Sequence, residues 1–372
     1  MTLLTRMVVG VVVCLASEPA LGNGEVLSRA RSLADRYVAL NPVHREKWDW
    51  EDAIFLHALS ELRRADPVAE SRFGSYVRGY HARWRDKGIP SIDRSDRCAS
   101  ALSALALIED DGDWTGFDGV LAVANYVRNE PRNALGAINH VGHSWHNLLY
   151  PRSIWVDSLM MYGVFATRWG NFTRDRALLD FGAAQIGVFA SRLQDSSSGL
   201  FRHAWLTGWK VAVPKADAFW LRGNGWVLAA GAQILDELPA NHPERARIVQ
   251  ILGRLARGIA RHQGADGQWD SILNQPGYSY PETSGASLVA YGIARGVRQG
   301  WLEPDLLPVA FRAYEGVTRR LRATPLGLSM PGISGPTTAF PKFVYRLVPQ
   351  TEDKGYGVGA YLLASIAISE LQ

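Results

Sequence analysis

The sequence predicts an all-α chain closed as an (α/α)6 barrel, six inner helices ringed by six outer ones. Three features carry that expectation. Apolar residues recur at helix spacing through eight segments: Ala53–Arg64, Ala99–Ile108, Phe117–Arg128, Ser158–Trp169, Asp175–Leu193, Val227–Leu238, Arg245–His262 and Ala286–Gln299. Runs of alternating β-branched residues are scarce. A set of polar-aromatic motifs recurs about every 50–70 residues, each at the start of a helix, which is the range of helical-pair repeats.

The motifs order the elements. Trp48-Asp49-Trp50 opens the first periodic segment and Ser95-Asp96 the second. Trp155-Val156-Asp157 precedes the segment from Ser158, and Trp220–Trp226 the one from Val227. Glu282-Thr283-Ser284-Gly285 opens the segment from Ala286, and Gly355–Tyr361 begins the last helix. Turns such as Asn241-His242-Pro243 and Glu303-Pro304-Asp305 separate the helices. If the inner helices start on one face, all six motifs meet at one mouth. An open solenoid is the alternative, with its sites along a groove.

The chain of 372 residues is 47% hydrophobic and 20% charged, enough for a sizeable core in one large domain or two ordinary ones. Arg6 followed by the apolar run Met7–Ala16 and by small residues reads as a signal peptide over residues 1–22, too short for a membrane anchor. The remainder, 23–372, is expected to be a single catalytic barrel, exported to the periplasm or secreted. Export would leave one cysteine, Cys98, expected as a small buried hydrophobe. Net charge is only +4 and no Lys/Arg run stands out, so nucleic acid is excluded as a partner, as is a membrane after signal cleavage.

Thirteen tryptophans exceed ordinary packing needs, and such excess often lines sugar clefts. In Trp220-Leu-Arg222-Gly-Asn-Gly-Trp226 two indoles flank a guanidinium, a pairing suited to an acidic carbohydrate, since indoles stack on sugar faces and Arg grips carboxylates. Asp157 and Asp96 each stand where a helix starts. Either is explained as an N-cap, but two carboxylates facing one pocket separate their pKa values, and one then holds a proton near neutrality. His203, in Gly199-Leu200-Phe201-Arg202-His203-Ala204-Trp205, is placed to donate to a substrate oxygen. His140, His143 and His146 lack a companion carboxylate or Cys at a recognised ligand spacing, so they read as a substrate-facing loop.

These motifs, with Trp145-His146…Tyr150-Pro151, Glu237-Leu238-Pro239…His242-Pro243, Gly267-Gln268-Trp269 and Ala294-Arg295-Gly296…Gly300-Trp301-Leu302, occur in an order that resembles glycoside hydrolase family 105, the unsaturated rhamnogalacturonyl hydrolases. The resemblance covers nearly all of the mature chain. It implies the (α/α)6 barrel and removal of a terminal 4,5-unsaturated uronic acid from lyase-generated oligosaccharides, as in pectin breakdown. It also implies that an Asp protonates the enol ether at C4 and water adds at C5, so the usual two-carboxylate glycosidase scheme does not transfer. By resemblance, Asp157 is the proton donor and then the base, and Asp96 its carboxylate partner. His203 and Arg222 match substrate-contacting positions, Arg222 towards the uronate ring and its carboxylate. Trp50, Trp155, Trp220 and Trp226 match pocket aromatics, and His146 a rim histidine. No metal or organic cofactor is implied, and oligomeric state is left open.

Two departures bear on specificity. Asn147 stands where a basic residue often follows the rim histidine, and Tyr356-Gly357-Val358-Gly359-Ala360 replaces a His-Gly-x-Gly-Ala pattern. The alternatives are an unsaturated glucuronyl hydrolase acting on glycosaminoglycan or ulvan fragments, and a non-catalytic glycan-binding toroid.

Overall fold

The computed structural model describes residues 22–372, so the signal peptide expected over 1–22 lies almost wholly outside the described residues. In chain order the helices are α1 (Asn23–Leu40), α2 (Trp50–Ala65), α3 (Pro67–Lys87), α4 (Ser100–Asp111), α5 (Phe117–Asn129), α6 (Val164–Thr173) and α7 (Arg176–Leu193). They continue with α8 (Leu221–Glu237), α9 (Arg245–Ala260), α10 (Thr283–Arg298), α11 (Leu307–Thr318), the short α12 (Lys342–Tyr345) and α13 (Gly355–Ser369).

Six of them form the inner ring. Going round, α2 packs on α4, α4 on α6, α6 on α8, α8 on α10, α10 on α13, and α13 returns to α2. The outer ring is α3, α5, α7, α9 and α11, each against the inner helix before it, with α1 covering α13. First and last helices thus close the barrel, and Arg36 of α1 pairs with Asp353 at 2.7 Å across 317 residues.

Helix starts follow the local chemistry. Asp49, Asp66 and Asp175 accept backbone N–H groups at the starts of α2, α3 and α7, and Pro67 occupies the first position of α3. The rings differ as their burial demands. All fifteen residues of α13 are buried, so it is apolar on every side, whereas α9 buries one stripe. Inner helices touch where glycine removes the side chain: a Cβ on Gly359 would sit 2.7 Å from the Ile54 carbonyl oxygen.

The barrel carries a little sheet at its mouth. Strands β1 (Ser153–Trp155), β2 (Ala204–Leu206) and β3 (Val211–Val213) form an antiparallel sheet with Trp155 opposite Ala204. Two short ribbons follow, β4 (Arg322–Thr324) with β5 (Gly327–Ser329), and β6 (Ile333–Ser334) with β7 (Gln350–Thr351). Among the described residues, no helix is long and apolar enough to cross a membrane.

Candidate active site

The starts of the inner helices gather around one cavity of about 340 Å3. Asp96, Asp157, His146, Trp50, Trp155, Trp220 and Arg222 all line it. So does His140, of the loop read as substrate-facing, and so do Arg94, Tyr150, Met161 and the 336–340 loop, which the sequence reading gave no role at the site.

Asp157 is positioned by the sheet. The Val156 N–H donates to the His203 carbonyl at 3.0 Å, extending the β1–β2 ladder by one step and setting the Asp157 and His203 side chains beside each other. His203 Nε2 lies 3.1 Å from Asp157 Oδ2, and its Nδ1 lies 2.8 Å from the Tyr345 hydroxyl. The chain after Asp157 winds as a wide π-turn, Leu159–Gly163, before α6. Asp157 caps nothing with its side chain, and neither does Asp96 in the 3-10 turn Ser95–Arg97. Both carboxyls face the cavity, 15% and 23% exposed.

Asp96 has a different setting. His140 Nε2 lies 3.4 Å from its Oδ1 and Arg94 Nε 3.7 Å from its Oδ2, while Arg94 also pairs with Asp49. His140 is fixed by Ser158 Oγ at 2.9 Å and stacks on Trp155 with ring centroids 4.4 Å apart. Burial pushes the Asp96 carboxyl up to about 8, and the negative charges of Asp49 and Asp157 add to it against the opposing Arg94. Burial works on Asp157 in the same direction. There the charge and hydrogen bond of His203 outweigh it and hold Asp157 below the ordinary carboxylate range. The expected separation of the pair is therefore present, with the resting proton on Asp96. Burial also lowers His140, to about 4, so near neutrality its ring is an uncharged partner.

Three expected contacts are corrected by the geometry. His203 does not line the cavity: both ring nitrogens are taken, and it stands behind Asp157, packed against Trp220 at 4.2 Å. Trp226 does not line it either. The Trp220–Trp226 motif caps and forms the first turns of α8, as expected, but Trp226 faces the main core with no exposure. Arg222 reaches the cavity floor, but both terminal nitrogens of its guanidinium are committed to the protein. It donates to the carbonyls of Ser334 at 2.7 Å and Gly335 at 2.8 Å, and to Thr337 Oγ1 at 3.2 Å. It also lies over the Trp220 and Tyr356 rings, 3.8 Å from the buried Glu282. Glu282 Oε1 accepts the Ser334 N–H at 3.0 Å, so Glu282 and Arg222 hold the two peptide units that flank the Ser334 Cα.

The remaining residues behave as rim and wall. Trp50 lies against Tyr356 with ring centroids 4.6 Å apart and planes tilted by 30°, and Tyr356 donates to the Ser334 carbonyl at 2.7 Å. Tyr150 meets Trp155 edge-on at 4.9 Å and donates to the Ala339 carbonyl, tying the 336–340 loop down. The three loop histidines have separate neighbours: His140 as above, His143 against Glu130 at 2.6 Å, and His146 against Ser144 at 3.1 Å. Asn147 is turned back to the Gly142 carbonyl. Cys98 is free and buried.

With this geometry in place, the comparisons with known proteins decide the family. The model of Glycosyl Hydrolase Family 88 matches residues 30–372. The chain belongs to that family. It is 25% identical to the unsaturated rhamnogalacturonyl hydrolase YesR of Bacillus subtilis (strain 168) over 263 residues, 70% of this chain and 74% of the relative. It is 33% identical to an unsaturated 3S-rhamnoglycuronyl hydrolase of Alteromonas sp. (strain LOR) over 156 residues, 41% of this chain and only 37% of that protein. A solved structure, a possible member of the GH105 family from Salmonella enterica serovar Paratyphi A, superposes with a TM-score of 0.80. The superposition covers 98% of this chain and all of that one at 21% identity, and it bears out the (α/α)6 barrel.

Proposed function

We propose that this family 88 glycosidase removes a terminal 4,5-unsaturated uronic acid from lyase-generated oligosaccharides by hydrating the enol-ether double bond. The observation that carries the reading is the carboxyl pair. Asp96 and Asp157 open on one aromatic-walled cavity, and their environments drive their protonation in opposite senses. Such a pair holds one proton between its members near neutrality. In the empty cavity it rests on Asp96. An entering uronate sets a second negative charge beside the ionised Asp157, which raises that carboxyl and favours its protonation.

From Asp157 the proton passes to C4 of the sugar, and positive charge develops at C5 beside the ring oxygen. Water adds at C5 and returns its proton to the Asp157 carboxylate, which His203 and Tyr345 hold in place. The hemiketal opens and the leaving sugar departs. Trp155 and Trp220 wall the ring, and His140 holds Asp96 from the far side. A rhamnosyl leaving sugar is the favoured class, since both relatives carry rhamnose in their names.

The experiment is ultraviolet absorbance on unsaturated galacturonyl-rhamnose, whose conjugated chromophore disappears on hydration. Decay with the native protein and none with a folded Asp157→Asn variant is the expected result. Turnover retained by that variant overturns the scheme. Decay on unsaturated glucuronyl disaccharides alone reassigns the substrate.

A further inference from the structure

We propose that a groove running on from the cavity holds the leaving oligosaccharide beyond its first sugar, and that it selects a second acidic unit there. This rests on reading the cavity as the unsaturated-uronate site. The groove encloses about 460 Å3 and borders the cavity, since Leu149, Tyr150 and Phe340 line both. Pockets of about 300–1,000 Å3 take ligands of drug size, so the two spaces together suit a short oligosaccharide.

Its lining is aromatic where a sugar face would lie and cationic where an acid group would. Trp209, at the turn between β2 and β3, is 71% exposed although it is the largest apolar side chain of the segment. An indole left in water has no packing role there and is free to stack on a pyranose ring. Tyr150 and Phe340 offer two further faces.

The charge pattern points to the ligand. The chain has only six lysines; Lys215 and Lys342 line the groove, and Lys210 follows Trp209. Lys342 is held by Gln275 Oε1 at 2.9 Å, while Lys210 and Lys215 are exposed and pair with no carboxylate among the described residues. The three stretches that supply the walls, 131–156, 196–216 and 316–351, contain no Asp or Glu, in a chain with 36 acids. Carboxylates are thus missing where an anion would enter. A lyase product of a polymer alternating uronate with neutral sugar has its second carboxylate on the third unit. The groove places the lysines for that unit.

The test compares unsaturated galacturonyl-rhamnose with the unsaturated tetrasaccharide of the same repeat, for the native protein, Trp209→Ala and Lys215→Gln. The native protein should prefer the tetrasaccharide about ten-fold in kcat/KM, a preference that shrinks with added salt. Each variant should lose about five-fold on the tetrasaccharide and stay within about two-fold on the disaccharide. Equal kcat/KM for the two substrates, or variants that lower both alike, overturns the groove. If neither substrate loses absorbance, the activity reading fails separately, and tryptophan fluorescence then decides the groove. Quenching by the tetrasaccharide that vanishes in Trp209→Ala supports it, and absence of quenching overturns it.

Discussion

Replacing Arg222 with Met tests whether this guanidinium holds the protein or the substrate. Two of its hydrogen bonds are short and charge-assisted, to the Ser334 and Gly335 carbonyls at 2.7 and 2.8 Å. Neither carbonyl is orphaned by the change, since Tyr356 also donates to Ser334 and Thr337 Oγ1 to Gly335. The larger cost falls on Glu282, fully buried and 3.8 Å from the lost cation. Removing one member of a buried pair typically costs about 3–5 kcal/mol. With an unfolding entropy of roughly 0.7 kcal/mol/K for a chain of this length, melting should fall by about 4–7 °C. Because the released segment carries Pro336, Thr337 and Thr338 into the cavity wall, kcat/KM should fall as well. Thermal melts read beside initial rates decide it. A variant that melts within about 1 °C of the native protein while KM rises ten-fold would show that Arg222 binds substrate.

Asp96 governs the alkaline limb of activity. As pH rises through about 8 its carboxyl ionises, placing a second negative charge where the uronate must bind, so kcat/KM should decline above that pH. Asp96→Asn should be slower and lack that decline; an unchanged limb refutes the assignment. Tyr345→Phe removes one hydrogen bond to His203, worth about 1 kcal/mol, so kcat should drop about five-fold with KM nearly constant. Unchanged kcat would mean the hydroxyl does not position the His203–Asp157 pair. Glu46 lies outside the site, and burial, with Asp52 nearby, pushes its carboxyl up to about 8. The folded chain therefore keeps a proton between about pH 4.5 and 8 that the unfolded chain releases, and stability falls as pH rises through that window. Glu46→Gln should gain stability over the native protein from pH 5 to pH 8, with an upper limit of about 4 kcal/mol. Equal gains at both pH values would refute this origin.

The six motifs mark the starts of the six inner helices, which is why the barrel and its mouth were readable from the chain alone. Helices with one apolar stripe, such as α9, announced themselves through periodicity. The long α3 did not: Arg, His and Tyr interrupt its apolar spacing, and its burial comes from aromatics such as Tyr80 and Trp84. The strands are two or three residues long, too short for alternation to show. At the site, residue type located the carboxyl pair and most of the aromatic wall. It could not say which groups are already occupied. His203 and Arg222 look like ligands in sequence because their hydrogen-bond partners, Tyr345, Ser334 and Gly335, lie more than a hundred residues away. Tyr345 and the 336–340 loop carried no signal at all, being recruited to the mouth only by the closed ring.

The way α13 sits between α10 and α2 has a consequence for biosynthesis. Its two neighbours are made long before it, and until it arrives each exposes an apolar flank with nothing to cover it. The ring is therefore a structure that cannot be finished piecemeal from the N-terminus. Its nascent form is a horseshoe with sticky ends, open to chaperones and to association with other unfinished chains. Ring closure by α13 completes the catalytic mouth and removes that hazard in the same step.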